Sequence, residues 1–254
     1  KQYSYSSVAD NLGYNWVEKE RLSPNKPGDL KEAFNWKSPH SMKNQYWPTE
    51  IPEFKSLAQK VLRIAQLLSH EFLYKFENIL SVPRGKLLEQ HIDGSATIRI
   101  LHYPPYSGEI KKDQMRINEH TDYGSITLLW RFDDVPGLQV FDRGKEEWMD
   151  VPMVENSIVL NVGDMLQRWT NDLLKSTPHR VINTEMTRSR YSMPYFVDPG
   201  RDVIIDNLTD QTDKYPPISA NEYLKWRLAQ SYTDNNYIEN EDVAAEGSKY
   251  ITNY

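Results

Sequence analysis

The sequence predicts a mainly β fold with flanking helices, of the antiparallel barrel or jelly-roll type. Three observations carry this. Short β-rich runs recur between Thr97 and Val197, Gly, Pro and Asp turns separate them, and clear helical periodicity lies outside that stretch. The first fifty residues are rich in Pro, Asn, Ser and Trp without a sustained period, which predicts loops and short strands. After Pro52, Phe54, Leu57, Ala58, Val61, Ile64, Ala65, Leu68 and Phe72 recur at helical spacings, predicting an amphipathic helix of about 27 residues. Pro83 followed by Leu87-Leu88 predicts a shorter second helix. Strands are predicted at Thr97–Tyr103, Ile117–His120, Ser125–Trp130, Leu138–Phe141, Ser157–Asn161, His179–Asn183 and Tyr191–Val197. A last helix runs from about Asn221 to Gln230, and the acidic tail after Thr233 reads as an exposed extension. The expected organisation is a helical and loop region over 1–92, a β core over 93–200 and a C-terminal helix with tail over 201–254, all one structural unit.

Composition narrows the chemistry. The 254 residues hold 30 basic and 36 acidic side chains, a net charge of -6 that argues against a nucleic-acid or anionic-membrane surface. Zero cysteine excludes disulfides, thiolate-held zinc or iron–sulfur clusters, and thiol nucleophiles. No apolar run approaches the ~20 residues of a spanning helix. The start, Lys1-Gln2-Tyr3-Ser4, has neither an initiator Met nor a signal-peptide core, so the expectation is a processed chain or one lacking its beginning. A cytoplasmic monomer acting on a small molecule is the accompanying expectation.

Six histidines are present: His40, His70, His91, His102, His120 and His179. In Glu119-His120-Thr121-Asp122 an imidazole and a carboxylate stand two residues apart, so at a strand end both project to one side. His179 begins another predicted strand, and a barrel brings strand ends together. Two imidazoles and one carboxylate leave one face of an octahedral ion open, the arrangement of non-haem Fe(II) oxygenases. A turn-capping His120 and a strand-packing His179 fit this pattern equally well. Further on, Arg190 and Ser192 share one face of a strand, where a buried guanidinium and hydroxyl suit a carboxylate; a solvent-facing arginine paired with a surface acid fits the same spacing. His102 is expected to face away from Tyr103 as a structural residue, and Trp130, Trp148 and Trp169 to serve core or rim.

Taken together, His120-Thr121-Asp122-Tyr123-Gly124-Ser125, Gly137-Leu138-Gln139-Val140, Asn161-Val162-Gly163-Asp164, His179-Arg180-Val181 and Arg190-Tyr191-Ser192 follow a known order. They resemble the Fe(II)/2-oxoglutarate-dependent dioxygenases of the isopenicillin N synthase-like group, over about residues 12 to 232. Leu101-His102-Tyr103-Pro104 and Arg168-Trp169-Thr170-Asn171-Asp172 look most like the fungal thymine-7-hydroxylase-like members. The resemblance implies a double-stranded β-helix with Fe(II) on His120, Asp122 and His179. It implies 2-oxoglutarate on that iron and on Arg190 and Ser192, with Tyr103 touching it, and O₂ as second cosubstrate. It also implies an additional stretch before Lys1. In the thymine-7-hydroxylase-like enzymes the positions of Arg99, Tyr123 and Phe196 hold a flat pyrimidine; the same trio would suit an amino-acid derivative or small carboxylic acid. The implied reaction is C–H hydroxylation coupled to formation of succinate and CO₂. Cyclisation, desaturation, a 2-oxoglutarate-independent iron oxidase, a non-catalytic ligand-binding member and, more distantly, a zinc hydrolase are the alternatives.

Overall fold

The computed structural model describes residues 12–231 except 24, 40–44, 46, 93, 210, 211 and 213. His40 and the predicted acidic tail lie outside the described residues. Among the described residues no helix is long and apolar enough to cross a membrane.

Among the described residues, twelve strands and three α-helices follow in chain order. Strands β1 (Gly13–Asn15) and β2 (Glu32–Lys37) precede helix α1 (Phe54–Leu80). Next come β3 (Thr97–Tyr103), β4 (Ile117–His120), β5 (Ile126–Arg131), β6 (Leu138–Asp142), β7 (Glu147–Asp150) and β8 (Val159–Val162). Helix α2 (Asp164–Trp169), β9 (His179–Val181), β10 (Arg190–Val197), β11 (Ile204–Ile205), β12 (Ile218–Ser219) and α3 (Ala220–Gln230) complete the series. The major sheet has the order β1-β2-β3-β10-β5-β8 and the minor sheet β4-β9-β6-β7, with β11 and β12 paired separately. These pairings are all antiparallel. From β3 to β10 the chain passes back and forth between the two sheets, the winding of a double-stranded β-helix.

Period-two alternation decides which side chains enter the barrel. On β10, Arg190, Ser192, Pro194 and Phe196 line the interior, while Met193, Tyr195 and Val197 join the apolar core outside the sheet. On β3, Arg99, Leu101 and Tyr103 face in and Ile98 faces out into that core. Helix α1 covers the outer face. Ala58, Leu62, Ala65, Ser69, Leu73 and Phe76 form its buried stripe, and the Trp36 indole N–H donates to the Ala58 carbonyl at 3.1 Å. The helical period places Leu57 and Ile64 on the apolar face, but they are exposed by 52 and 63%. Each sits just outside the stripe, because neighbouring positions on a helix differ by about 100°.

Other departures have local causes. Where Pro83 predicts a helix there is a turn leading to a single 3₁₀ turn, Leu88–His91. The buried Glu77 carboxylate accepts from the backbone N–H groups of Gly85, Leu87 and Leu88, each at 2.8 Å, and so satisfies that turn from outside. β9 stops at Val181, two residues before the predicted Asn183. Neither β7 nor α2 is among the predicted elements; α2, at six residues, is too short to show a period.

A buried ion cluster locks β1, β2 and β3 together. Both Arg99 terminal nitrogens donate to Glu20 at 2.8 Å, Arg99 Nε donates to Asn35 Oδ1 at 2.7 Å, and Lys31 Nζ also donates to Glu20. Burial alone would raise the Glu20 carboxyl, but Arg99 and Lys31 hold it at about 2 against an ordinary 4.5. Glu20→Ala removes the carboxylate that Arg99 and Lys31 share in a dry site, leaving Arg99 on Asn35 and Lys31 3.8 Å from Asp29, and is expected to cost about 3 kcal/mol, read as a lower urea midpoint. The stabilisation from Glu20 is fully present above pH 4.5 and lost as pH falls towards 2. In Glu20→Gln that segment of the stability–pH curve should flatten.

Candidate metal centre

His120 ends β4 and His179 begins β9, and the antiparallel register sets them directly opposite each other. Their rings lie 4.2 Å apart between centroids, tilted by 54°. Asp122 follows two residues beyond β4. Its Oδ1 stands 4.0 Å from His120 Nε2 and 3.6 Å from His179 Nε2. The three ligand atoms lie within 4.8 Å of one another, close enough for one ion.

The partners behind these groups set their donor atoms. His120 Nδ1 donates to the Asn118 carbonyl at 2.8 Å and His179 Nδ1 to the Thr177 carbonyl at 3.1 Å. A carbonyl only accepts, so both Nδ1 atoms carry the proton and both Nε2 atoms present lone pairs. Asp122 Oδ2 accepts from Asn161 Nδ2 at 2.7 Å, leaving Oδ1 to face the imidazoles. Burial, then His179, pushes His120 well down, so it is neutral at pH 7. Burial alone would raise Asp122, but His179 and His120 hold it low. Two imidazole nitrogens with one carboxylate are the donor chemistry of a hard-to-borderline divalent ion.

Close approach of two turns positions the carboxylate. The Asp164 N–H donates to the Asp122 carbonyl at 2.8 Å, and a Cβ on Gly163 would lie 2.3 Å from the Gly124 carbonyl oxygen. Only glycine fits there. Asp164, fully buried, then accepts through Oδ2 from Thr121 Oγ1 at 3.1 Å and the Tyr223 hydroxyl at 2.9 Å, with Arg227 Nη1 at 3.3 Å. The 121–124 loop is thus clamped to α3.

Two cavities share this centre. The larger, about 280 Å³, runs from the triad to Arg190, Ser192 and Tyr103. Arg190 is 1% exposed, its guanidinium stacks 4.7 Å from the Tyr103 ring centroid, and its Nε and Nη1 have no hydrogen-bond partner. Two further guanidiniums, Arg116 and Arg131, act electrostatically on it, each depressed by burial first and by Arg190 second. Both are held by backbone carbonyls. An orphaned buried cation amid other cations calls for an anion. The smaller cavity, about 70 Å³, takes in Arg99, Tyr123 and Phe196. There Arg99 is already gripped by Glu20. Tyr123 has the Arg227 guanidinium 4.3 Å from its ring centroid and its hydroxyl bonded to Ser231.

All nine candidate residues therefore meet around the two cavities. His102 faces away as expected, bonded to Glu32 at 2.7 Å and stacked 4.6 Å from Tyr191. Trp169 is core, and Trp148 carries Arg180 4.0 Å from its ring centroid. Sequence reasoning missed Glu20, Arg227 and Asp198 as cavity or clamp residues; for Asp198 the signal existed, since it continues the inward period Arg190, Ser192, Pro194, Phe196. Asn161→Ala removes the partner that aims Asp122 and is expected to weaken Co(II) binding about 10–100-fold, followed by visible absorption. His179→Ala should abolish that binding.

Residues 94–199 match the family model of the 2OG-Fe(II) oxygenase superfamily. The 2-oxoglutarate-Fe(II) type oxidoreductase hxnY of Emericella nidulans is 35% identical over 195 residues, covering 73% of this chain and 55% of that protein. The chain thus spans little more than half of that relative. The proline hydroxylase buaE of Petromyces alliaceus is 33% identical over 241 residues, 87% of this chain and 75% of its own. Among solved structures, a full-length Neurospora crassa protein in complex with alpha-KG superposes with a TM-score of 0.78 at 31% identity, covering 90% of this chain and 76% of that one. With this likeness in sequence and fold, the chain belongs to the 2OG-Fe(II) oxygenase superfamily.

Proposed function

We propose that this protein is an Fe(II)- and 2-oxoglutarate-dependent oxygenase that hydroxylates a C–H bond of a small molecule. The observation that carries the reading is the orphaned Arg190 guanidinium at one end of a cavity whose other end presents two imidazole lone pairs and a carboxylate oxygen. A dicarboxylate keto acid matches both ends at once.

His120 and His179 through Nε2, and Asp122 through Oδ1, would hold the Fe(II). Bound there with O₂, it supplies oxidative decarboxylation of 2-oxoglutarate to succinate and CO₂ and delivery of oxygen to carbon. The protein does the rest. Arg190 and Ser192 receive the far carboxylate of 2-oxoglutarate, with the Tyr103 ring fixing the guanidinium plane. Leu101, Leu129, Val140 and Val181 line the cavity between the two ends and exclude water, which strengthens each charge contact. The smaller cavity, bordered by the same His120 and Asp122, is where the substrate is placed, beside Arg99, Tyr123 and Phe196. The Neurospora crassa protein has also been crystallised with alpha-KG and thymine together. A pyrimidine carbonyl here would have to share Arg99 with Glu20.

The test is direct. Protein with Fe(II), ascorbate and 2-oxoglutarate should form succinate, and the anaerobic complex should show a visible iron-to-2-oxoglutarate charge-transfer band. Arg190→Ala should raise the 2-oxoglutarate KM at least about 30-fold, since it removes the buried cation for a carboxylate. Absence of the band in wild-type protein would overturn the reading.

A further inference from the structure

One side chain in the smaller cavity bears on the substrate class under that reading. Asp198 lies one residue beyond β10, in line with its inward-facing row, and is 5% exposed. It lines the same cavity as His120, Asp122 and Tyr123. Two glycines make room for it. A Cβ on Gly94 would lie 2.3 Å from the Asp198 carbonyl oxygen, and a Cβ on Gly124 would lie 2.2 Å from Asp198 Oδ1. Its carboxylate is therefore lodged against the loop that carries the candidate metal ligand Asp122.

A buried carboxylate is expected to have hydrogen bonds or a counter-ion. Among the described residues no hydrogen bond reaches the Asp198 side chain. Burial pushes its carboxyl up to about 6; Lys37, itself buried in the same cavity wall, favours the ionised form and Asp122 opposes it. The other two acids in the cavity wall are engaged: Glu20 by Arg99 and Lys31, and Asp122 by Asn161. Of the three, Asp198 keeps its acceptor capacity. Phe196 and Tyr123, whose ring already carries Arg227, border the same space and supply apolar contact for a carbon skeleton.

We propose that Asp198 selects the substrate by accepting a hydrogen bond from a protonated amine, so that the substrate is a small amine whose carbon skeleton is carried towards the His120 and Asp122 end of the cavity. A cation is favoured over an alcohol because a charged donor forms the stronger hydrogen bond to a carboxylate. The proposal rests on the oxygenase reading for the reaction, but the binding chemistry can be tested separately.

Fragment binding decides it. Saturation-transfer NMR on the zinc-loaded protein with 2-oxoglutarate would use pyrrolidine and piperidine, their oxygen isosteres tetrahydrofuran and tetrahydropyran, and the neutral lactam 2-pyrrolidinone. The amines are expected to bind, the isosteres and lactam not. Asp198→Asn and Asp198→Ala should each weaken amine binding by at least about tenfold. The Asn variant keeps the side-chain shape if the Ala variant unfolds. Equal binding of isosteres or lactam, amine binding unchanged in Asp198→Asn, or no amine binding at all would overturn the proposal. Binding of 2-oxoglutarate to wild-type protein, measured in the same samples, tests the oxygenase reading by itself. Its failure beside intact amine binding would sink that reading and leave the Asp198 site standing.

Discussion

The architecture depends on α1 sealing the outer face of the major sheet. Ala65, Leu73, Ile98 and Leu128, all fully buried, meet in that contact. Each large apolar side chain contributes about 1.5–3 kcal/mol on burial. With the apolar residues of β3, β5 and β10 assigned outwards to the helix, their alternate positions must point into the barrel. Those positions hold Arg99, Tyr103, Thr127, Arg190 and Ser192 among Leu101, Leu129 and Phe196, so the polar groups of this sheet face an interior and not a solvent surface. A polar interior of this kind is stable only when its groups are paired or filled by ligand.

The pairing is uneven, and the unevenness carries the chemistry. Arg99 is satisfied three times over by Glu20 and Asn35, and its place is structural. Arg190 has two buried nitrogens without a partner, and Asp198 has the charge of Lys37 acting on it but accepts no hydrogen bond among the described residues. One is an orphaned cation and the other an acceptor carboxylate, and they open into separate cavities that share His120 and Asp122.

Rigidity of the centre comes from a few short-range contacts. The β4–β9 pairing sets the two imidazoles opposite each other, and backbone carbonyls fix which nitrogen of each is free. The carboxylate belongs to a loop instead, and that loop is held by Gly163, Asp164 and Arg227. The C-terminal helix is therefore part of the site's frame as well as a wall of the smaller cavity, through Leu224 and Leu228.

Much of this was legible in the chain. Helical spacing located α1, β-rich runs located β3, β4, β5, β6 and β10, and ordered motifs located the triad and Arg190 with Ser192. These are local signals, because spacing along one element sets which side chains share a face. The exposure of Leu57 and Ile64, the 3₁₀ turn under Glu77, and helix α2 were not legible, since each depends on what packs against the segment. The same division runs through the site. Residue type and order by themselves determined which groups could bind an ion and a carboxylate. Only the tertiary structure decided which of them are already spent: it brought Glu20 to Arg99 and left two Arg190 nitrogens without a partner. Electrostatic pairing is settled across space between distant segments, where no sequence period reaches.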